Sequence, residues 1–191
     1  MFCMDLYKLF LEKKALLEGH FKLSSGLHSN KYFQCALLTA EPEIAEMLCE
    51  TLAQKLRADK IEANLVIGPA IGGIILAYEM ARALKVKAFF AEREEGQMRL
   101  RRGFTVKPDD KVIVVEDVVT TGGSTREVMD LVQSMGGEVV AVASLVDRSG
   151  GKVDFGVPFY PLLKVNVETY LPENCPLCAE GVPVVKPGSR K

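Results

Sequence analysis

The chain has 191 residues, of which 48% are hydrophobic and 26% are charged, and its formal net charge is only -1. These values predict one compact domain with a sizeable core, and they exclude a global electrostatic attraction to nucleic acid or to an anionic membrane. No segment approaches the roughly 20 apolar residues of a membrane span, and charged residues interrupt the first 19 positions, so we expect no signal peptide. The five cysteines are an odd, scattered set, which favours a cytoplasmic protein with reduced thiols.

The first third of the chain reads as two helices separated by a loop and a short strand. Apolar residues near helical spacing predict a helix over Met4 to Leu17. Gly19 to Asn30 reads as a loop, and Tyr32 to Leu38 as a short strand. Pro42 then stands at the favoured first position of a helix. The apolar residues of that helix repeat every four positions, at Ile44, Leu48, Leu52 and Leu56.

From residue 65 onward, predicted strands alternate with predicted helices. The predicted strands are Leu65 to Ile67, Val86 to Ala91, Val112 to Val115 and Val139 to Val146. The predicted helices are Gly72 to Leu84 and Ser124 to Met135. This alternation indicates βαβ units in a mostly parallel sheet flanked by helices, an α/β fold. The N-terminal stretch and the C-terminal tail lie outside the alternation, and we expect them to form a small extra lobe.

The strongest chemical signal follows the predicted strand at Val112 to Val115. Two acids, Glu116 and Asp117, come first, and a turn of small residues from Thr120 to Ser124 leads into a helix. Ligands of open α/β sheets bind beyond the carboxyl ends of the strands, and backbone N–H groups at a helix N-terminus bind phosphate. The acids would repel a phosphate directly, so they suit the vicinal hydroxyls of a ribose whose 5′-phosphate occupies the turn.

A plain acidic turn after a strand is the structural alternative to this interpretation. The sequence contains neither G-x-x-x-x-G-K-[ST] nor a G-x-G-x-x-G after a strand, which excludes the two commonest competing phosphate motifs. The stretch from Val114 to Ser124 resembles the phosphoribosyl pyrophosphate signature of the type I phosphoribosyltransferase family. The resemblance implies a substrate site made by Glu116, Asp117, Val118, Val119, Thr120, Thr121, Gly122, Gly123 and Ser124.

Four further stretches are similar to the orotate phosphoribosyltransferases of that family: Phe21 to Ser29, Gly68 to Gly73, Glu92 to Gly103 and Leu145 to Arg148. The resemblance implies that Ala70, Ile71 and Gly72 form a pyrophosphate-binding turn. It also implies an orotate site of Thr120, Arg148, Ser25 and Gly26. The resemblance further implies catalytic roles for Glu116, Asp117 and Arg93. Arg93 would lie in a mobile loop from Glu92 to Gly103.

The family resemblance also implies an architecture and a reaction. The fold would be that of type I phosphoribosyltransferases, in one domain over residues 1–191 with a core at about 43–165 and a hood at about 18–40 plus 166–191. The reaction would join orotate to the phosphoribosyl group, as a step of pyrimidine biosynthesis. Mg²⁺ would act through substrate and water rather than through direct protein ligands. Shared loops would make the working unit a homodimer, without nucleic-acid or membrane partners.

Several features leave alternatives open. Ser24 and Gly72 stand where some family members carry lysines, and the stretch at Glu92 to Gly103 lacks lysine and histidine, so a solvated charged hairpin is an alternative to a mobile loop. Binding of phosphoribosyl pyrophosphate by a non-catalytic regulator, or transfer to a purine, are the alternative functions. Cys175 and Cys178 form a C-x-x-C pair that we expect no nearby histidine to complete as a zinc site. A zinc ion shared across a dimer, a disulfide or plain structural cysteines remain open for the pair. His28 alone lies near the predicted site.

Overall fold

The computed structural model describes residues 5–23 and 26–187. The chain divides into two compact units, one made of Met1–Leu38 and Asn166–Lys191 and the other of Thr39–Val165. Among the described residues, no helix combines the length and the apolar character that crossing a bilayer requires.

The larger unit is built on a six-stranded sheet in the order β5-β4-β3-β6-β7-β8. All neighbouring strands run parallel except β5, which is antiparallel to β4. The strands are β3 (Leu65–Pro69), β4 (Lys87–Glu94), β5 (Gln97–Leu100), β6 (Lys111–Val119), β7 (Glu138–Asp147) and β8 (Phe159–Lys164). The helices are α3 (Pro42–Ala58), α4 (Gly72–Leu84) and α5 (Gly123–Ser134). The predicted α/β class with a mostly parallel sheet is confirmed.

The core of this unit lies in the central strands. Residues Leu65 to Pro69 of β3 and Val112 to Val115 of β6 are buried throughout, as expected for parallel strands covered on both faces. Pro42 occupies the first turn of α3, where its missing N–H costs nothing. The buried stripe of α3 includes Leu48, Leu52 and Leu56, three of the apolar positions that predicted the helix. Because β4, β3, β6 and β7 run parallel, their carboxyl ends lie at the same edge of the sheet.

The smaller unit contains a three-stranded antiparallel sheet in the order β1-β2-β9. Its elements are α1 (Leu6–Glu12), β1 (Leu16–Lys22), β2 (His28–Phe33), β9 (Thr169–Tyr170), a 3-10 turn (Pro172–Asn174) and α6 (Pro176–Ala179). A short helix, α2 (Ala36–Thr39), follows β2 along the chain. The C-terminal segment also pairs with β1, because Val185 forms a parallel bridge with Phe21.

Three sequence predictions fail in the smaller unit. The predicted helix over Met4 to Leu17 ends at Glu12, because Lys14 takes a positive φ and the chain turns into β1. The predicted loop from Gly19 to Asn30 is largely a β-hairpin, since β1 and β2 pair across it. The strand predicted over Tyr32 to Leu38 stops at Phe33, and a helical turn follows. The pairing of strands distant in sequence overrides local propensity here.

Candidate active site

The acid pair and the small-residue turn lie together at the carboxyl end of β6. Glu116 and Asp117 are the sixth and seventh residues of that strand, and α5 begins at Gly123. Gly122 precedes the helix with φ 76°, a left-handed conformation that suits glycine. A concave site opens here, and its lining consists of Glu116, Val118, Val119, Thr120, Thr121, Gly122, Gly123, Ser124 and Thr125. Apart from Asp117, the residues predicted from the signature therefore surround one depression.

The two carboxylates are close neighbours with different environments. The backbone N–H of Asp117 donates to Glu116 Oε1 at 3.3 Å, and the N–H of Val118 donates to Asp117 Oδ1 at 2.8 Å. Burial, with the negative charge of Asp117 beside it, raises the pKa of Glu116 to about 9. At neutral pH the Glu116 carboxyl is therefore protonated and can both donate and accept a hydrogen bond. One neutral acid beside one carboxylate can contact two adjacent hydroxyl groups.

The turn after β3 lies directly against this acid pair. A Cβ atom placed on Gly72 would stand 2.5 Å from Asp117 Oδ2, so the absence of a side chain permits the approach. The Ala70 N–H donates to the Ala91 carbonyl at 2.6 Å, and the peptide between Ala70 and Ile71 is cis. The side chain of Ile71 is 73% exposed. The three residues predicted as a pyrophosphate turn are thus next to the predicted ribose-binding acid.

Arg148 follows β7 at the same edge of the sheet. Its backbone N–H donates to the Val119 carbonyl at 2.8 Å, which ties the end of β7 to the end of β6. The Asp147 carboxylate accepts a hydrogen bond from Ser149 N at 2.8 Å, and the Asp154 carboxylate accepts one from Gly156 N at 2.8 Å. Each of these two carboxylates therefore stabilises a turn close to the end of β7.

Arg93 lies on a β-hairpin rather than in an irregular loop. β4 and β5 pair through a two-residue turn, so the charged hairpin that the sequence left open as an alternative is the observed structure. The guanidinium of Arg93 makes a bidentate contact with Glu127 of α5, at 2.7 and 2.8 Å. This contact raises the pKa of Arg93 and holds its side chain against α5, the helix that follows the turn from Thr120 to Ser124.

The orotate residues predicted in the smaller unit are only partly described. Ser25 lies outside the described residues, as does Ser24. Gly26 has φ 86° in the turn between β1 and β2, where its N–H donates to the Leu23 carbonyl at 2.9 Å. In the part of the chain that the structure describes, no atom stands within 4 Å of a Cβ placed on Gly26, so there is open space beside this glycine.

Sequence reasoning missed two groups. Thr125 lines the concave site, and its buried Oγ1 has no hydrogen-bond partner among the described residues; its position directly after Ser124 was the available signal. The expectation that no histidine joins Cys175 and Cys178 was wrong. His20 and His28 both contact Cys178 Sγ, at 3.8 and 3.3 Å, because they lie on the paired strands β1 and β2.

Comparison with known proteins gives a consistent result. Residues 38–168 match the phosphoribosyl transferase domain family. The chain is 57% identical over 188 residues to orotate phosphoribosyltransferase of Caldicellulosiruptor bescii, with 98% of each chain covered. It is 58% identical over 186 residues to that of Thermotoga maritima, covering 97% of this chain and 98% of the relative. The crystal structure of orotate phosphoribosyltransferase from Aeropyrum pernix superposes with a TM-score of 0.72 at 27% identity, over 84% of this chain and 93% of that one.

Proposed function

Because the chain belongs to the orotate phosphoribosyltransferase family, we propose that it transfers the 5-phosphoribosyl group of phosphoribosyl pyrophosphate to N1 of orotate. The products are orotidine 5′-phosphate and pyrophosphate, as a step of pyrimidine biosynthesis. The observation that carries the proposal is the acid pair Glu116 and Asp117 beside the Thr120-to-Ser124 turn at the start of α5. A purine phosphoribosyltransferase or a non-catalytic regulator is not favoured, since relatives named for orotate match nearly the whole chain.

The phosphoribosyl pyrophosphate site follows from charge and hydrogen bonding. The 5′-phosphate binds at the turn, where the backbone N–H groups and the dipole of the 12-residue helix α5 favour an anion. The acid pair binds the ribose hydroxyls. The turn of Ala70, Ile71 and Gly72 contacts pyrophosphate, because its glycine brings backbone groups next to Asp117.

Mg²⁺ fits this arrangement without a cage of protein ligands. Magnesium prefers oxygen ligands, keeps several waters and commonly binds through one or two carboxylates plus substrate phosphates. The Asp117 carboxylate beside the pyrophosphate turn would hold the hydrated ion through substrate and water. When bound, the ion would neutralise negative charge on pyrophosphate as it leaves.

Orotate is a flat anion, and its carboxylate sets the requirement for the base site. Arg148 presents a planar fork of donors that suits a carboxylate or the ring carbonyls. Thr120 is exposed between the acid pair and the phosphate turn, where its hydroxyl or backbone reaches the base. Ser25 and Gly26, which the family resemblance also assigns to orotate, remain predicted members of the base site.

The reaction relies on positioning and electrostatics. A transition state with oxocarbenium character needs no covalent bond to the protein, so the acid pair and the phosphate turn orient the ribose while donors stabilise the leaving pyrophosphate. Arg93 is the proposed cation for that leaving group, and it must exchange its contact with Glu127 for one with pyrophosphate. Closure of the hairpin then excludes water from the site.

The working unit is proposed to be a homodimer with shared active-site loops. Three large apolar side chains, Ile71, Ile75 and Tyr78, are 73%, 48% and 63% exposed around the first turns of α4. They lie three or four residues apart and so form one apolar patch on a helix face. Burial of such a patch against a second copy would remove it from water. The four cysteines that the structure describes as free support the expectation of a reducing, cytoplasmic compartment.

The proposed activity is tested by following loss of orotate absorbance with phosphoribosyl pyrophosphate and Mg²⁺, with adenine, hypoxanthine and uracil in parallel. We expect turnover with orotate alone and none after Mg²⁺ is chelated. Turnover with a purine would reassign the base site. Tight binding of phosphoribosyl pyrophosphate without turnover of any base would support the regulator instead.

A further inference from the structure

Four potential metal ligands from distant parts of the sequence converge in the smaller unit. His20 lies on β1, His28 on β2, and Cys175 and Cys178 at the start of α6. One ligand atom from each residue lies within 4.8 Å of all the others. Three of the residues are buried, with His20 and Cys175 each 3% exposed and His28 6% exposed. None of these four side chains belongs to the proposed catalytic machinery. We propose that they form a structural Zn²⁺ site.

The distances match a tetrahedron around zinc. With Zn–N bonds of about 2.0–2.1 Å and Zn–S bonds of about 2.3 Å, tetrahedral ligands stand about 3.6 Å apart for nitrogen and sulfur. Cys175 Sγ and Cys178 Sγ lie 3.5 and 3.8 Å from His20 Nε2, and Cys178 Sγ lies 3.3 Å from His28 Nδ1. The two nitrogens are 2.8 Å apart and need about 3.3 Å, so a small opening of the histidine pair completes the geometry.

Hydrogen bonding fixes the His20 ring in the form that a metal requires. His20 Nδ1 lies 2.7 Å from the Val182 carbonyl oxygen, which can only accept a hydrogen bond. Nδ1 therefore carries the proton, and in the neutral ring the lone pair is on Nε2, the atom that faces the two sulfurs. Zinc-binding histidines commonly donate their second N–H to a carbonyl in this way.

The donor set selects the metal and the role. Two imidazoles and two thiolates in tetrahedral arrangement are typical of zinc, and four protein ligands leave no position for substrate. Cys175 and Cys178 have the C-x-x-C spacing of a zinc knuckle, and the exposed side chain of Cys178 gives the ion an entry path. The site is thus closed and structural rather than catalytic.

The position of the site explains what zinc would stabilise. The C-terminal segment returns to β1 through hydrogen bonds from Val185 N to the His20 carbonyl and from Lys22 N to the Val185 carbonyl, each 2.8 Å. The smaller unit comprises only residues 1–38 and 166–191, and units of this size commonly need a metal or disulfide in addition to hydrophobic burial. A zinc ion would join the segment around Cys175 to the β1–β2 hairpin, across 155 residues of sequence from His20.

Metal analysis of the whole protein tests the proposal. After purification without added metal, we expect about one zinc per chain by mass spectrometry, as a closed four-ligand site retains its ion. Cys178→Ser should reduce the zinc content to near zero. Cys49→Ser is the matched control, because Cys49 is a free cysteine of the larger unit and its loss should leave zinc bound.

A second readout keeps the test decisive if Cys178→Ser fails to fold. Wild-type protein stripped by a chelator is titrated with Co²⁺, and we expect the visible absorption of tetrahedral cobalt together with a thiolate charge-transfer band. Zinc should displace the cobalt, and the chelator should lower the melting temperature. Wild-type protein that contains no zinc and gives no tetrahedral cobalt spectrum would overturn the proposal, as would a Cys175–Cys178 disulfide in protein purified under reducing conditions.

Discussion

Asp117 lies where the proposed ribose site meets the proposed pyrophosphate turn. Its carboxylate accepts a hydrogen bond from Val118 N and lies against Gly72. Asp117→Asn keeps the size of the side chain but removes the charge, so we expect kcat/KM to fall by about 100-fold or more. The melting temperature should change little. Initial rates and thermal denaturation measure the two effects.

Asp130→Asn is the matched control for this change, because Asp130 is an exposed acid on α5 outside the concave site. It should leave both activity and melting temperature close to wild type. Equal losses of folding and of activity in Asp117→Asn would contradict a role in substrate binding and indicate a structural one.

Glu116 makes stability depend on pH. Its pKa is raised to about 9 in the folded protein, so the folded state holds this proton more tightly than the unfolded state does. The stability that results is fully present below the unfolded pKa of 4.5 and is lost as pH rises through about 9. A difference of one pKa unit corresponds to about 1.4 kcal/mol, so we expect the unfolding free energy to fall by about 6 kcal/mol more across this range in wild type than in Glu116→Gln.

Urea denaturation at several pH values between the two pKa limits measures this difference. Glu62→Gln provides the control, because Glu62 is an exposed acid far from β6 in sequence and should leave the slope unchanged. A pH dependence that persists undiminished in Glu116→Gln would show that other groups cause it.

Single residues show clearly what sequence can and cannot predict. The positions of Glu116, Asp117 and the turn to Ser124 were predictable, because a local motif places them on consecutive backbone positions. The contact of Arg93 with Glu127 was not, since it joins residues 34 positions apart through side-chain geometry. The convergence of His20 and His28 on Cys178 likewise depends on strand pairing that no local pattern records.

Among the elements, the turn between β6 and α5 has the most demanding backbone. Gly122 combines φ 76° with a close neighbour, because an added Cβ would stand 2.9 Å from the Phe155 ring. Gly122→Ala should therefore destabilise the protein by about 1–3 kcal/mol through backbone strain and steric overlap. Its neighbour provides the comparison: a Cβ on Gly123 meets only Thr121 Oγ1, at 3.6 Å.

Chemical denaturation of Gly122→Ala and Gly123→Ala distinguishes the two positions. Gly123→Ala should lie within about 0.5 kcal/mol of wild type, because alanine is accepted at a helix start without strain. Similar losses in both variants would mean that the turn does not hold Gly122 in the conformation described.

The β4–β5 hairpin carries Arg93, the residue that we propose stabilises the leaving group. Arg93 and Glu127 are 47% and 40% exposed, so their ion pair contributes only about 0–1 kcal/mol to stability. Arg93→Ala should leave the melting temperature nearly unchanged yet lower kcat at least tenfold, by about 1.4 kcal/mol of transition-state stabilisation. Steady-state kinetics and thermal denaturation separate these outcomes.

Arg99→Ala is the internal control for the hairpin. In the hairpin, Arg99 lies opposite Glu92, the residue that precedes Arg93. Residues that lie opposite each other share a face of the sheet, whereas consecutive residues of a strand point to opposite faces. Arg93 and Arg99 therefore point to opposite faces of the hairpin. Arg99→Ala should keep most of the activity. If both variants lose activity equally, net positive charge on the hairpin rather than the position of Arg93 is what matters.

The sequence pattern predicted some strands well and others poorly. The central strands were predictable because continuous apolar runs such as Val112 to Val115 are buried on both faces. The hairpin of β1 and β2 was not, because β1 mixes buried and exposed positions irregularly and the register shifts between Glu18 and Phe21. An irregular pattern of this kind has no period-2 signal, so the strand is specified by its partners.

At the scale of the whole molecule, a shared site makes a quantitative prediction. If the β4–β5 hairpin of one subunit completes the site of its partner, Asp117→Asn and Arg93→Ala affect different halves of each site. Mixing the two impaired variants would then bring the two intact halves together at one of the two sites of every heterodimer. Half of the dimers are heterodimers after random exchange, so about a quarter of wild-type activity should return.

The mixing experiment requires that subunits exchange, which sedimentation of differently tagged chains verifies. Asp117→Asn mixed with an Asp117→Asn/Arg93→Ala double variant is the control, because no intact site can form in that mixture. If verified heterodimers give no recovery, the hairpin acts within its own subunit, because each of the two sites then carries one defect and neither is intact. A protein that sediments as a monomer while fully active would exclude sharing altogether, and the apolar patch of Ile71, Ile75 and Tyr78 would need another partner.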